Sequence, residues 1–235
     1  MTGITEHLGE IRARIARAST GDPGASARQV TLVAVSKGHP PAAIREALAA
    51  GVTDIGENYL QEALPKIGAV GRDAIWHFIG RIQSNKTREI ARHFAWAQTV
   101  TSARIAERLA AQRPPHGPPL QVCIQLAPGG LPAGAPGIEA RAGCPRDEVP
   151  ALAAVIARLP RLQLRGLMVL PHAGLDDAAL RMEYRSAREL LAALNARGHQ
   201  LDTLSMGMSE DLELAIAEGS TMVRIGTALF GKRPG

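Results

Sequence analysis

Eight times along this chain a short apolar run follows a segment of helical periodicity, and that alternation constrains the fold more than any other feature. The runs are TLVAVS (31–36), VTDIG (52–56), AIWHFIG (74–80), FAWAQTV (94–100), LQVCIQL (120–126), LQLRGLMVL (162–170), LDTLSMG (201–207) and STMVRIG (220–226). Short, nearly continuous apolar runs are what parallel strands buried on both faces require. The first helix carries Ile4, Leu8, Ile11, Ile15 and Ala18 as one stripe. Further helices are predicted over 41–50, 57–67, 82–92, 102–112, 146–158, 177–196 and 209–218. Gly51, Gly68, Gly198 and Gly219 stand where a left-handed residue ends a helix. Such alternation means a parallel sheet with helical crossovers. Eight units in about 200 residues favour closure over an open doubly wound sheet. The predicted fold class is therefore α/β: a single (β/α)8 TIM-type barrel over residues 1–235, with an extra N-terminal helix.

Composition excludes several function classes. The opening residues carry Glu6, Glu10, Arg12 and Arg14, so they do not read as a secretory leader. No run approaches the roughly 18 uncharged apolar residues of a membrane span. Cys123 and Cys144 have no metal or redox spacing, and a reduced, cytoplasmic setting is expected. The net charge is +5, but the arginines lie along helical faces without interleaved aromatics. That pattern reads as solvated surface, and neither nucleic acid nor membrane is an expected partner. GxGxxG, Walker A and GxSxG motifs are absent, and the seven histidines show no metal pairing.

Of the 27 basic residues only Lys37, Lys66, Lys86 and Lys232 are lysines. Where arginine serves for general positive charge, a lysine suggests a task arginine cannot perform, such as forming an imine. Lys37 directly follows the first strand and sits at the barrel rim where sites are built. It is either a solvated rim lysine or an amine that attacks an aldehyde. Barrel phosphate sites tend to form from the loops after strands seven and eight. Here those loops hold Ser209, which can alternatively cap the next helix, and Gly226 with Thr227. Arg224 near the end of the last strand is either a rim ion pair or a cation beside a ligand. Asn58 and His77 are further polar candidates; His77 shares a strand face with Ile75 and Ile79, and on an interior face it is either a core histidine with a polar partner or a ligand contact. Four strands end in an apolar residue plus glycine (Gly56, Gly80, Gly207, Gly226); such a glycine either turns the chain after the strand or lets backbone approach a ligand closely at the rim, and the second reading is favoured slightly. The loop 127–145, rich in Gly, Pro and Ala, falls on the same rim.

At these residues the chain resembles the YggS/PROSC family of pyridoxal phosphate homeostasis proteins, whose fold is similar to the N-terminal barrel of alanine racemase. The likeness rests on AVSKGHP (34–40), GENYLQEALPKI (56–67), WHFIGRIQSNK (76–86), RGLM (165–168) and LSMGMSEDLELAIAEGSTMVRIGTALFG (204–231). It implies pyridoxal 5′-phosphate (PLP) held as a Schiff base on Lys37. It implies phosphate contacts from Ser209, Gly226 and Thr227, and Arg224 beside the pyridine nitrogen, where it keeps the ring a poor electron sink. Asn58 and His77 match polar positions around the cofactor. After strand five the chain departs from the family, reading QLAPGGLPAGAPGI without the usual Asn and Lys.

The resemblance implies a PLP carrier in vitamin B6 homeostasis, without catalytic turnover, expected as a monomer with PLP-dependent enzymes as candidate clients. Alanine racemase brings a second base on a tyrosine through a further domain. Here the tyrosines are Tyr59, near the rim, and Tyr184, on a helix stripe. A racemase of low activity using Tyr59 is the alternative, and a cofactor-free Schiff-base aldolase is a third reading.

Overall fold

The computed structural model describes residues 3–20, 29–129, 143–172 and 174–232. Eight strands form a closed parallel barrel in chain order: β1 (Thr31–Val35), β2 (Asp54–Glu57), β3 (Ile75–Phe78), β4 (Trp96–Val100), β5 (Leu120–Gln125), β6 (Leu162–Met168), β7 (Thr203–Ser205) and β8 (Met222–Ile225). β8 closes on β1 with Val33 opposite Arg224. The helices are α1 (Ile4–Ser19), α2 (Pro41–Ala49), α3 (Leu60–Val70), α4 (Thr87–His93), α5 (Ala103–Gln112), α6 (Val149–Ile156), α7 (Asp177–Ala196), α8 (Leu212–Ala217) and α9 (Thr227–Phe230). No described helix is long and apolar enough to cross a membrane.

Most of the apolar core lies between the strands and the surrounding helices, where Ala34, Ile44, Ile55, Ile90, Leu109, Ile124, Ile156 and Leu167 are fully buried. Burying a Leu or Ile side chain contributes about 1.5–3 kcal/mol. This layer explains the strand residues that point outward. The stripe on α1 buries Ile4, Leu8 and Ile11, and α1 packs on α8 and α9. It is thus the extra N-terminal helix that was expected, and it braces the elements after β7 and β8.

The barrel interior is different, because it is polar. His77, Gln98, Ser205 and Arg224 are all buried there, in a space that barrels ordinarily fill with branched apolar side chains. Below them Trp96 stacks on His77 with ring centroids 5.2 Å apart, and Arg165 lies over the Trp96 ring.

Several helix boundaries differ from expectation. α3 begins at Leu60 and runs through Gly68 to Val70, ending at Gly71 with φ 78°. Gly68 is therefore a helical residue; nothing within 4 Å crowds it. α4 starts at Thr87, because 81–86 remain loop above β3. The predicted 146–158 and 209–218 helices are shorter, at Val149–Ile156 and Leu212–Ala217. Much of the loop 127–145 lies outside the described residues.

Candidate functional site

A cavity of about 870 Å3 opens at the C-terminal ends of the strands. Lys37, Asn58, Ser209, Arg224, Gly226 and Thr227 all line it. They come from the ends of β1, β2, β7 and β8, which chain order scatters over nearly 200 residues and barrel closure brings together.

Lys37 keeps the parity of Val33 and Val35. Val33 meets the inward position of Gly56, and Val35 lines the cavity. Alternation therefore carries the lysine toward the axis. Its neighbours are clamped. Ser36 donates to Glu57 Oε1 at 2.6 Å, and the Gly38 N–H donates to Glu62 Oε2 at 2.9 Å. Lys66 ties both acceptors together, donating to Glu57 Oε1 (2.6 Å), Glu62 Oε2 (3.2 Å) and the Ser36 carbonyl (2.8 Å). Burial pushes the Glu57 carboxyl up despite the bonds from Lys66 and Ser36. Glu62 is held low, chiefly by the Gly38 N–H, with Lys66 and Lys37 adding attraction against the effect of burial. Lys66 is thus a buried structural lysine serving the Lys37 turn. The motif GENYLQEALPKI contains Glu57, Glu62 and Lys66, AVSKGHP supplies Ser36 and Gly38, and the i, i+4 spacing of Glu62 and Lys66 was the local signal for the ion pair.

Arg224 enters from the opposite side and is buried. It donates from Nη1 to Ser205 Oγ and from Nη2 to the Val169 carbonyl, each at 2.8 Å. No described carboxylate lies at ion-pair distance from it. Burial pushes its guanidinium down from the ordinary value, partly offset by Tyr184 and Asp211, yet an arginine at this depth stays protonated. The rim ion pair considered from sequence is therefore not what Arg224 makes.

The loop after β7 is held from two sides. Arg14 of α1 donates to the Ser209 carbonyl at 2.9 Å and pairs bidentately with Glu213. Asp211 accepts from the Met208 N–H and from the Tyr184 hydroxyl. The N-cap of α8 is Asp211, without a side-chain cap, so Ser209 does not cap that helix. After β8, Gly226 and Thr227 open α9, in which the Leu229 and Phe230 N–H groups donate back to the Gly226 carbonyl. Phe230 of α9 stacks on His39 at 5.0 Å, locking this turn against the Lys37 loop.

His77 does not line the cavity. Its Nε2 is 2.8 Å from Asp54 Oδ1, and its Nδ1 is 2.9 Å from Gln98 Nε2. Burial pushes its pKa down, against the pull of Asp54. Asp54 is pushed up by burial, but hydrogen bonds from His77 and Thr53 outweigh this and hold it low. The inward face expected for His77 is observed; a direct place at the cavity is not. The glycine pattern is likewise corrected. A Cβ at Gly56 would come within 2.9 Å of Val33 Cγ1, and one at Gly207 within 2.6 Å of the Ala215 methyl. Gly80 abuts the Asn58 backbone. Only Gly226 of the four lines the cavity, so the other three serve internal packing.

Sequence reading missed His39, His172 and Asp211 in the lining, and Gln98 and Ser205 beneath it. His39 and Asp211 lie within the recognised motifs; Gln98 carried no local signal. Tyr59 is 55% exposed and does not line the cavity, and Tyr184 is buried. Both cysteines are free and buried, with the Cys123 thiol pushed up to about 12 by burial, which leaves it inert. No metal-holding cluster occurs among the described residues.

A closed parallel barrel with a lysine at the end of β1 and a buried arginine on β8 defines a class, and the comparisons agree. Residues 7–234 match the family described as alanine racemase, N-terminal domain, and the chain belongs to it. Within it the chain belongs to the pyridoxal phosphate homeostasis proteins of the YggS/PROSC group. It is 50% identical over 234 residues to the pyridoxal phosphate homeostasis protein of Pseudomonas aeruginosa, covering 99% of this chain and 97% of that one. PipY of Synechococcus elongatus, solved with PLP bound, superposes with a TM-score of 0.81 at 38% identity, covering 97% of this chain and all of PipY. Alanine racemase from Corynebacterium glutamicum shares the fold, with a TM-score of 0.66 at 16% identity, and this chain covers 62% of it.

Proposed function

We propose that this protein binds PLP in the cavity, as a Schiff base on Lys37, and serves vitamin B6 homeostasis by holding the cofactor without turning over a substrate. The observation that carries this reading is that Lys37 shares the cavity with a buried Arg224 that has no carboxylate partner among the described residues. An anionic aromatic aldehyde fits that donor set. PLP supplies an aldehyde for the lysine and a phosphate for the two neighbouring loops. Ser209, Gly226 and Thr227 would take the phosphate through a hydroxyl and helix-opening N–H groups. Asn58 would contact the ring from the β2 side. Arg224, which can only donate, would face the pyridine nitrogen and keep it unprotonated. His77 acts one layer below.

The homeostasis role follows the naming of the curated relatives. Neither tyrosine is presented to the cavity as a second base, which disfavours the racemase reading. A monomeric state, one domain over 1–235 and PLP-dependent client enzymes belong to this proposal as expectations.

Borohydride reduction of the PLP-loaded protein, followed by peptide mapping, tests the assignment. Label on Lys37, lost in Lys37→Ala, is expected. Label on another residue would refute it, and amino-acid racemisation at enzyme-like rates would refute the carrier role.

A further inference from the structure

The barrel interior holds one continuous hydrogen-bond chain. Arg224 Nη1 donates to Ser205 Oγ at 2.8 Å, and Ser205 donates to Gln98 Oε1 at 2.6 Å. Gln98 Nε2 lies 2.9 Å from His77 Nδ1 and also meets Met222 Sδ at 3.1 Å. His77 Nε2 lies 2.8 Å from Asp54 Oδ1. The links come from β8, β7, β4, β3 and β2, so the chain crosses the barrel from the cavity floor toward the opposite mouth.

Its direction is imposed from both ends. Arginine has five donors and no acceptor, and an ionised carboxylate only accepts. Ser205 must therefore accept from Arg224 and spend its single proton on Gln98. That orients the Gln98 carbonyl toward Ser205 and its amide toward His77. His77 Nδ1 must then accept, so its proton sits on Nε2 and points at Asp54. Every group is satisfied only in this order, and a reversed amide at Gln98 would set its carbonyl against the His77 Nδ1 lone pair, acceptor against acceptor.

We infer that Gln98 and Ser205 are positioning residues for Arg224: by completing this one-way chain they fix the guanidinium at the cavity floor. Without it, Arg224 keeps only the Val169 carbonyl and is free to turn about that anchor. The inference rests on the proposed reading that PLP binds at Lys37 with Arg224 beside its ring. Charge-assisted hydrogen bonds of this kind are the strong ones, and a satisfied buried network specifies one arrangement.

The test is PLP titration of the apo protein, followed by the visible imine band and its pH midpoint. Ser205→Ala and Gln98→Met are each expected to weaken PLP binding about tenfold. Both should move the pH midpoint in the same direction as Arg224→Gln. Ser205→Thr, which keeps the hydroxyl, should stay within about twofold of wild type. In an Arg224→Gln background, Ser205→Ala should have no further effect on affinity or midpoint, because the group it positions is gone. Wild-type affinity and midpoint in folded Ser205→Ala would overturn the inference, as would effects additive with Arg224→Gln. Ser205→Ala removes a single oxygen and decides the matter if Gln98→Met does not fold. A purely structural role would lower the unfolding temperature of these variants and leave the midpoint in place. If wild type gives no borohydride label at Lys37, the PLP reading itself fails; if it labels normally while the variants are indifferent, only the positioning role does.

Discussion

Two buried cations stand at the top of this barrel, and they are treated in opposite ways. Lys66 touches two carboxylates, Glu57 and Glu62, and its charge is cancelled where it sits. Arg224 touches a hydroxyl and a carbonyl, and the carboxylate that closes its chain, Asp54, lies three groups away. A buried charge paired on the spot has no attraction left for a ligand, whereas one held by neutral acceptors keeps most of it. The difference separates a structural cation from a binding one more clearly than burial does, since both side chains are nearly inaccessible.

The strongest way to break this comparison is to remove Lys66. Lys66→Met strands Glu57, whose Oε2 already lacks a hydrogen-bond partner. Chemical denaturation should show a loss of about 3–5 kcal/mol, the usual consequence of orphaning one member of a buried pair. Adding Glu57→Gln should return part of it. A loss below about 1 kcal/mol would mean the cluster is not a buried pair in energetic terms.

Arg224→Met should behave conversely. Without ligand its stability should stay within about 1 kcal/mol of wild type, because the relief of desolvation offsets two lost hydrogen bonds. Its affinity for PLP should fall at least about tenfold. Large destabilisation with unchanged PLP affinity would reverse the roles assigned to the two cations.

A third prediction concerns pH. His77 has a folded pKa below its unfolded value of about 6.5, because burial favours the neutral ring. The unfolded state therefore binds more protons as the medium acidifies. The stability held by neutral His77 is complete above about pH 6.5 and declines below it, by up to about 1.4 kcal/mol per pH unit, until the folded value is reached. Asp54, with a lowered folded value, adds its own loss only as the pH falls below about 4. Unfolding free energies measured between pH 7 and 5 should show this slope in wild type, and His77→Gln should flatten it. An equal slope in both would place the titrating group elsewhere.

The smallest effect is expected at Arg14. Its bridge to Glu213 is partly exposed, so Arg14→Gln should cost less than about 1 kcal/mol. It should still loosen the Ser209 loop, read as a modest weakening of PLP binding. Faster hydrogen exchange confined to residues 208–211 would sharpen that view, and unchanged exchange there would end it.

Much of the site was legible from the residues because barrel sites use strand ends, which sequence locates well. Strand order was enough to place Lys37 after TLVAVS, and Ser209, Arg224, Gly226 and Thr227 around the last two strands, at the rim where the cavity lies; the part each plays there was suggested by the family resemblance. His77 was read on the correct face but assigned to the wrong depth, because alternation gives direction and not height along the axis. The rim glycines misled for a related reason: a glycine can admit a ligand, a neighbouring backbone or a methyl group, and Gly56 and Gly207 admit the last kind.

What the sequence determined by itself is the order of strands and helices, the barrel they imply, and the lysine at the end of the first strand. These follow from periodicity and local chemistry within a few residues. Only the tertiary structure decided that Lys66 is neutralised and Arg224 is not, and that Gln98 of β4 and Ser205 of β7 meet across the interior. Those outcomes depend on which side chains from distant strands reach the same height inside a closed barrel. Their separation of 107 residues carries no trace of that meeting. Curvature and register set it, and both emerge only when the last strand pairs with the first.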